Sequence, residues 1–280
     1  MAEYVHEVSA DEQAKIASFV RWFAIGTVAF ILGVILLFFT ADSWLRLISI
    51  ESERQFIEPY IELALENDFI DGDPVLQDYI SELTLSIYDE LEHEWDDSFE
   101  LRVYVIESEQ INAFATLGGH IFVFDGLMKA LDDENSLAMV LAHEVAHVHN
   151  RDPLLGAGRG LLIQMAIAAL SGNSIDPSAI NVGSEVVLTS YSREQESAAD
   201  ELALELLHKR YGHVGGATTL FEMIDVDLDD EELEEFFEFL STHPDTDDRI
   251  ERLHALAEER GWTERDPVPY PDDVKSVLED

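Results

Sequence analysis

The sequence predicts an α+β protein: a mostly helical domain with a small antiparallel sheet or hairpin, preceded by one N-terminal transmembrane helix. Three observations carry this. An apolar run of 18 residues, Trp22–Phe39, is relieved only by Gly26, Thr27 and Gly33. Short strand-like stretches, Leu101–Ile106, Ile111–Leu117 and His120–Phe124, lie close together, the last two flanking Gly118-Gly119. Helical periodicity then dominates from Glu134 to about Glu259.

Taken in order, residues 1–15 form a polar, acid-rich segment and 16–41 the anchor. The run reaches spanning length, Phe19 and Val20 extend it past Arg21, and Trp22 and Trp44 stand near its ends, where amphipathic rings favour the interface. A cleaved signal peptide would want a basic start, a shorter apolar core and a small-residue cleavage site. The start here is acidic and Phe39-Thr40-Ala41 is a poor site. Lys15 and Arg21 precede the span and Arg46 and Arg54 follow it. The first pair lies slightly closer to the membrane, which favours a cytoplasmic N-terminus and a single-pass protein with its main domain on the extracytoplasmic, periplasmic side. That domain is 42–280. A helical lead-in, 42–99, holds amphipathic helices at Ile50–Glu66 and Pro74–Trp95, separated by Asp71-Gly72-Asp73. A core, 100–260, follows, and then an extended tail, 261–280, in which Asp266–Pro271 reads as a surface strap. The second apolar stretch, Leu161–Leu170, is too short to span; it reads as a core helix, with a membrane-facing patch as the alternative. No internal repeat is present.

Composition bounds the function. Against 59 acidic residues stand 16 basic ones, a formal net charge of -43. Nucleic acid is excluded as a partner, because phosphate contacts need Lys and Arg. Acid spread along the whole chain points to a salty compartment or organism, where screening tempers self-repulsion. There is no cysteine, so any transition metal must be held by His, Asp and Glu.

One segment supplies such donors. His143-Glu144-Val145-Ala146-His147 places two imidazoles one helical turn apart on one face, able to share a zinc ion. Glu144 projects at a neighbouring angle, suited to taking a proton from water rather than to ligation. Leu137, Val140, Leu141 and Val145 give this helix an apolar face. Polar groups buried on such a helix are costly unless partnered. A catalytic zinc needs a third protein ligand. The best candidate is Glu196, which opens a second helix, with Asp200 one turn on and able to accept a ring N–H of a ligating His. His243, in Thr242-His243-Pro244, could donate to an oxyanion or could occupy the open metal position in a resting state. Arg249 follows at a spacing that could tie this loop to the carboxylates. Asp225–Glu235 resembles a calcium loop only in acidity, since Asp230 stands where glycine is needed. It reads as an acidic helix with Phe236 and Leu240 inward.

Together these residues resemble a known family: the membrane-associated zinc metallopeptidases of the HtpX/BepA/Oma type, which include the CAAX prenyl endopeptidase and belong to the gluzincins. The resemblance runs from about Leu101 to Leu256, through Asn112-Ala113-Phe114-Ala115 with Gly118-Gly119, His143–His147 with Arg151-Asp152, Glu196 with Ala199-Asp200, and Thr242-His243-Pro244 with Arg249. It implies a zincin-like domain holding one Zn2+ per chain on His143, His147 and Glu196. It implies Glu144 as general base, Asp200 as outer support and His243 near the metal. It further implies that Asn112, Ala113, Phe114, Gly118 and Gly119 border the substrate cleft, where an edge strand would take extended polypeptide by strand addition. The expected activity is an endopeptidase acting on misfolded or damaged proteins at a membrane. The rival expectation is a zinc-containing chaperone or scaffold that rarely cuts. HtpX-like members carry several spanning helices and this chain one. No oligomeric state is written in the sequence.

Overall fold

The structure is a computed structural model that describes residues 9–67, 69–91, 99–171, 191–224, 236, 239–243 and 248–279. Helix α1, Ala10–Phe39, is opened by a capping box in which Ser9 and Glu12 satisfy each other's backbone N–H groups. Its 30 residues extend about 45 Å at the usual helical rise. It is long and apolar enough to cross a membrane, and none of its residues is buried. A short α2, Ala41–Leu45, turns the chain into the lead-in helices α3, Ile50–Glu66, and α4, Pro74–Tyr88. Ser49 and Asp73 cap these two, and Pro74 occupies the first turn of α4, where its missing N–H costs nothing. Helix α4 stops at Tyr88, short of the expected Trp95. Asp89 and Glu90 stand at its end, where the helix dipole disfavours negative charge.

The sheet has three strands: β1, Arg102–Ile106; β2, Ala113–Thr116; and β3, His120–Phe124. Their order is β1-β3-β2. The expected hairpin is present, with Ala115 opposite Ile121 in the antiparallel β2/β3 pair. Strand β1 instead joins β3 in parallel, so the sheet is mixed rather than antiparallel throughout. Alternation of side chains fixes which face is buried and is silent on strand direction, which is why the sequence missed this. The hairpin turn is a 3-10 turn, Leu117–Gly119, with Gly118 and Gly119 both at positive φ. A Cβ on Gly118 would meet Arg54 Cα at 2.7 Å, and one on Gly119 would meet Phe99 Cζ at 2.5 Å. The glycines therefore let α3 and Phe99 close over the turn.

Helices α5, Asp125–Ala130, α6, Glu134–Asn150, and α7, Asp152–Ser171, follow. Then come α8, Arg193–Tyr211, α9, Thr219–Ile224, α10, Arg249–Arg260, and α11, Asp272–Leu278. The sheet separates two apolar clusters. The larger joins α4, α6 and α8 through residues such as Ile80, Val105, Leu141 and Leu207. The smaller gathers Ile57, Ile61, Phe114, Phe122, Phe124, Leu154 and Leu155 beneath α3. The tail is only partly the expected strap. Pro269 bridges to Asp133 and Tyr270 is buried, but Pro271 then opens α11, whose Val274 is anchored in the larger cluster. Leu161, expected to start a core helix, is 44% exposed, whereas Leu154, Leu155 and Leu162 of the same helix pack in or against the smaller cluster. Side chains 163–171 and the acidic stretch 225–235 lie outside the described residues. Phe236 and Phe239 just beyond are buried.

Candidate metal centre

Helix α6 is buried on nearly every face and crosses α8 along its length. Asp133 caps its start and Arg151, at φ 62, ends it in the left-handed conformation. That bend frees Asp152 to begin α7 directly below His147. The second helix, α8, begins with a capping box between Ser192 and Gln195, which sets Glu196 in its first turn facing α6. His243 ends the helical stretch 239–242, its N–H donating to the Phe239 carbonyl at 2.8 Å.

These elements bring His143, His147, Glu196 and His243 together, each fully or almost fully buried, with one ligand atom from each within 4.8 Å of the others. The Nε2 atoms of His143 and His147 are 3.0 Å apart, and His243 Nδ1 is 3.2 Å from His143 Nε2. Glu196 Oε1 is 3.2 Å from His243 Nδ1 and 3.4 Å from His147 Nε2. The far nitrogens face carboxylates: His143 Nδ1 is 3.1 Å from Asp200 Oδ1, and His147 Nδ1 is 2.9 Å from Asp152 Oδ2. A proton held on each Nδ1 by its carboxylate leaves two Nε2 lone pairs pointed at one another. Such a pair needs a cation between them. Glu144 is wholly buried beside the group, and among the described residues neither of its carboxylate oxygens has a hydrogen bond; Oε1 is 3.4 Å from His243 Nε2. Buried polar atoms of this kind call for an ion or a water. Three imidazoles and a carboxylate, with no thiolate, form a zinc-type donor set.

Electrostatics follow from these contacts. Burial disfavours the charged form of His143, but hydrogen bonds to Asp200 and Glu196 overcome it and hold the metal-free ring up at about 9. The metal-free His147 is also raised. Burial and its neighbour His143 oppose the shift, and Asp152 and Glu196 drive it. Burial alone would push Glu196 and Asp200 up. The histidines around Glu196, and Arg249 beside Asp200, hold both below the ordinary carboxylate range. His243 is lowered, chiefly by burial.

Arg249 is fully buried. It donates Nε–H to Asp200 Oδ2 at 2.9 Å and sets Nη1 3.0 Å from Glu196 Oε2, with its guanidinium 4.2 Å above the Phe221 ring. Two carboxylates crowded around one cluster are thus neutralised from behind.

The residues expected at the cleft separate into two groups. Ala113 lies on the α6 side of the sheet, whereas Phe114 stacks on Phe122 at 5.0 Å in the smaller cluster. Gly118 and Gly119 face α3 and Phe99. Asn112 is buried, and among the described residues its side-chain amide has no hydrogen bond. Three further residues shape the site. Asp152 appears in the sequence only as a neighbour of Arg151, and its acid at the first turn of a new helix was the available signal. Glu53 of α3 binds both Arg151 and, at 3.0 Å, the Gly118 N–H; nothing in a solvated-looking lead-in helix marked it. Tyr191 stacks on His147 at 4.0 Å and places its hydroxyl 3.5 Å from the Ala115 carbonyl oxygen. An aromatic residue before a helix cap is no signal by itself.

Comparison with known proteins agrees in outline. The model of peptidase family M48 matches residues 75–257. The beta-barrel assembly-enhancing protease of Escherichia coli (strain K12) is 27% identical over 181 residues, covering 58% of this chain and 35% of that one. The mitochondrial metalloendopeptidase OMA1 of Schizosaccharomyces pombe is 30% identical over 156 residues, 54% of this chain and 45% of its own. The metalloprotease LoiP of Escherichia coli (strain K12) is 32% identical over 129 residues, 44% and 50% respectively. The chain therefore spans from about a third to a half of the length of these relatives.

Proposed function

The chain belongs to peptidase family M48, and from that premise we propose that it is a membrane-anchored zinc metalloendopeptidase that hydrolyses peptide bonds of misfolded or damaged proteins. The observation that carries this reading is the convergence of the His143 and His147 Nε2 atoms, 3.0 Å apart, with Glu196 and His243 around them and the Glu144 carboxylate buried alongside. His143, His147 and Glu196 would hold the ion, and His243 would complete the set. Zinc, when bound there, acidifies water and polarises a carbonyl.

The remaining steps belong to the chain's own groups. Glu144 accepts the proton of the attacking water and returns it to the leaving amine, and its freedom from hydrogen bonds suits it to that exchange. His243 must swing from the ligand cluster for water to enter, and its ring then becomes a donor to the oxyanion. Asp200 and Asp152 keep the two helix imidazoles in the Nδ1–H tautomer. The hydrogen bond from Phe124 N–H to the Asn112 carbonyl turns Asn112, Phe114 and Thr116 toward β3. It leaves the backbone groups of Ala113 and Ala115 on the outer edge of β2. An extended substrate pairs there, with the Asn112 amide at the edge's end, and the Tyr191 hydroxyl yields its place on Ala115. Backbone pairing tolerates many sequences, which suits unfolded substrates.

In this reading 16–41 is the single-pass anchor and 42–280 one metallopeptidase domain, with lead-in 42–99, core 100–260 and tail 261–280. It lies on the extracytoplasmic side, and its acidic surface is adapted to high salt. Glu144→Gln protein expressed in its native membrane tests the proposal: it should retain unfolded chains that the wild type degrades. If wild type and variant accumulate the same chains, the protein is a binding scaffold and not a peptidase.

A further inference from the structure

Glu53 lies outside the metal group and its supporting carboxylates, and is nonetheless buried, at 5% exposure. Among the described residues the only other such carboxylate is Asp125, which accepts the Ser108 N–H of its own local turn. A charge taken out of water needs partners held in place. Glu53 has two, and they belong to different parts of the site. Its Oε1 pairs with the Arg151 guanidinium, and its Oε2 accepts the Gly118 N–H at 3.0 Å. Arg151 is a residue that needs holding. Among the described residues it is the one non-glycine at positive φ, at φ 62 and ψ 31, where the Cβ of an L residue crowds its own backbone. Its bend has an immediate consequence, because Asp152 follows it and sets Oδ2 2.9 Å from His147 Nδ1. Were Arg151 right-handed, α6 would run on and carry Asp152, five residues past His147, round to another face. Arg46 steadies the same corner by donating to the Asn150 carbonyl at 2.9 Å, one of the acceptors that a helix end leaves open.

The second partner stands at the other side of the cleft. Gly118 lies in the turn that ends β2, and α3 grips both of its polar backbone groups: Glu53 takes the N–H, and Arg54 Nη2 donates to the carbonyl at 3.4 Å. We propose that Glu53 is a positioning residue of the metal site: it braces the α6–α7 corner, which aims His147, against the turn that ends the substrate strand β2. The proposal rests on the metallopeptidase reading given above. Glu53 touches neither the metal group nor substrate. It acts through Arg151, whose left-handed bend keeps Asp152 on His147, and it fixes that bend relative to the end of the strand. Register between the two matters because a misplacement of about 1 Å between reacting groups is enough to cost about 100-fold in rate. One carboxylate from the lead-in helix thus joins the two halves that have to meet across a peptide bond.

A double-mutant cycle on the full-length protein tests this. Glu53→Gln keeps an acceptor for the Gly118 N–H and removes the charge that holds Arg151. Arg151→Gly adopts the left-handed bend with no side chain to hold it there. Zinc affinity is read by competitive titration against a chromophoric chelator. In the native background Glu53→Gln should weaken zinc binding about tenfold, the low end for groups behind a metal ligand. In the Arg151→Gly background the same change should alter it by less than about twofold. Equal losses in both backgrounds, or no loss in either, would overturn the brace. With zinc saturating, Glu53→Gln should lower kcat on an unfolded polypeptide about tenfold and leave KM within about twofold. A raised KM with kcat unchanged would put the effect on the strand alone and overturn it too. Should Glu53→Gln not fold, Arg151→Ala and Arg151→Gly decide the matter, since both leave Glu53 equally unpaired. The alanine protein should bind zinc about tenfold more weakly than the glycine protein, and equal affinities would overturn the brace. If the native protein binds no zinc, the metallopeptidase reading fails and the brace with it. If it binds zinc without cleaving, the peptidase reading alone fails and the zinc titrations decide the brace.

Discussion

Asp152 and Asp200 hold the two helix histidines from opposite sides, one at the start of α7 and one in α8. Each fixes a proton on Nδ1 and so aims Nε2 inward. Asp152→Asn keeps the shape but weakens that acceptor, and should lower zinc affinity or turnover by about 10–100-fold, read by competitive zinc titration and cleavage of an unfolded substrate. A second residue sits apart from the metal. His120 is buried between strands, stacked on Tyr104 at 5.7 Å, with its Nδ1 3.2 Å from the Tyr104 hydroxyl. Burial is the main cause that pulls it down to about 4 from its ordinary 6.5. A base lowered on folding binds its proton better when unfolded, so the stability it allows is complete above about 6.5 and is lost as pH falls toward 4. The loss amounts to about 3 kcal/mol. His120→Phe should show a shallower fall in unfolding free energy over that window; parallel curves for the two proteins would contradict this. At this scale the ligands were legible because helical spacing fixes which side chains share a face. Their carboxylate partners were less so. Asp200 follows Glu196 at one-turn spacing, whereas Asp152 reaches His147 only through the left-handed bend at Arg151, which no periodicity encodes.

Between elements, α3 is seated on the hairpin turn by contacts that leave no room for side chains. Gly118 is at φ 74 with Arg54 Cα at 2.7 Å from any added Cβ, and Glu53 crosses from α3 to both the turn and Arg151. Gly118→Ala must strain the backbone and push α3 away, costing about 1–3 kcal/mol, measurable as a lowered denaturant midpoint. An unchanged midpoint would mean that α3 is not held by the turn. The helices and the hairpin could be read from period and from glycine placement, with boundaries good where a cap is written, as at Ser49, Asp73 and Ser192. Two things could not. The parallel pairing of β1 depends on the chain passing beyond β3 before returning, a non-local choice that alternation does not record. The fate of Leu161 depends on which neighbours α7 meets, and an apolar run reads alike for a core and for a membrane.

Over the whole molecule, one composition does two jobs. The uncharged residues concentrate in α1 and the far half of α7, while the net charge of -43 is carried by the rest. Repulsion of that size is screened over about 10 Å at 0.1 M salt and about 3 Å at 1 M. The unfolding midpoint should therefore rise between those concentrations, and a midpoint equal or higher at low salt would remove the saline reading. The charge was plain from composition, but composition cannot show that the metal group lies two turns of α7 from the anchor, since that needs Arg159 on Asp42 and Arg46 on Asn150. The central claim is that these parts assemble around a zinc-dependent peptidase site with Glu144 as its base. Wild-type and Glu144→Gln proteins, purified side by side, should each carry one zinc per chain, while the variant loses about 10²–10⁴-fold in cleavage of an unfolded protein. Absence of stoichiometric zinc from the wild type, or equal cleavage by the two proteins, would contradict it.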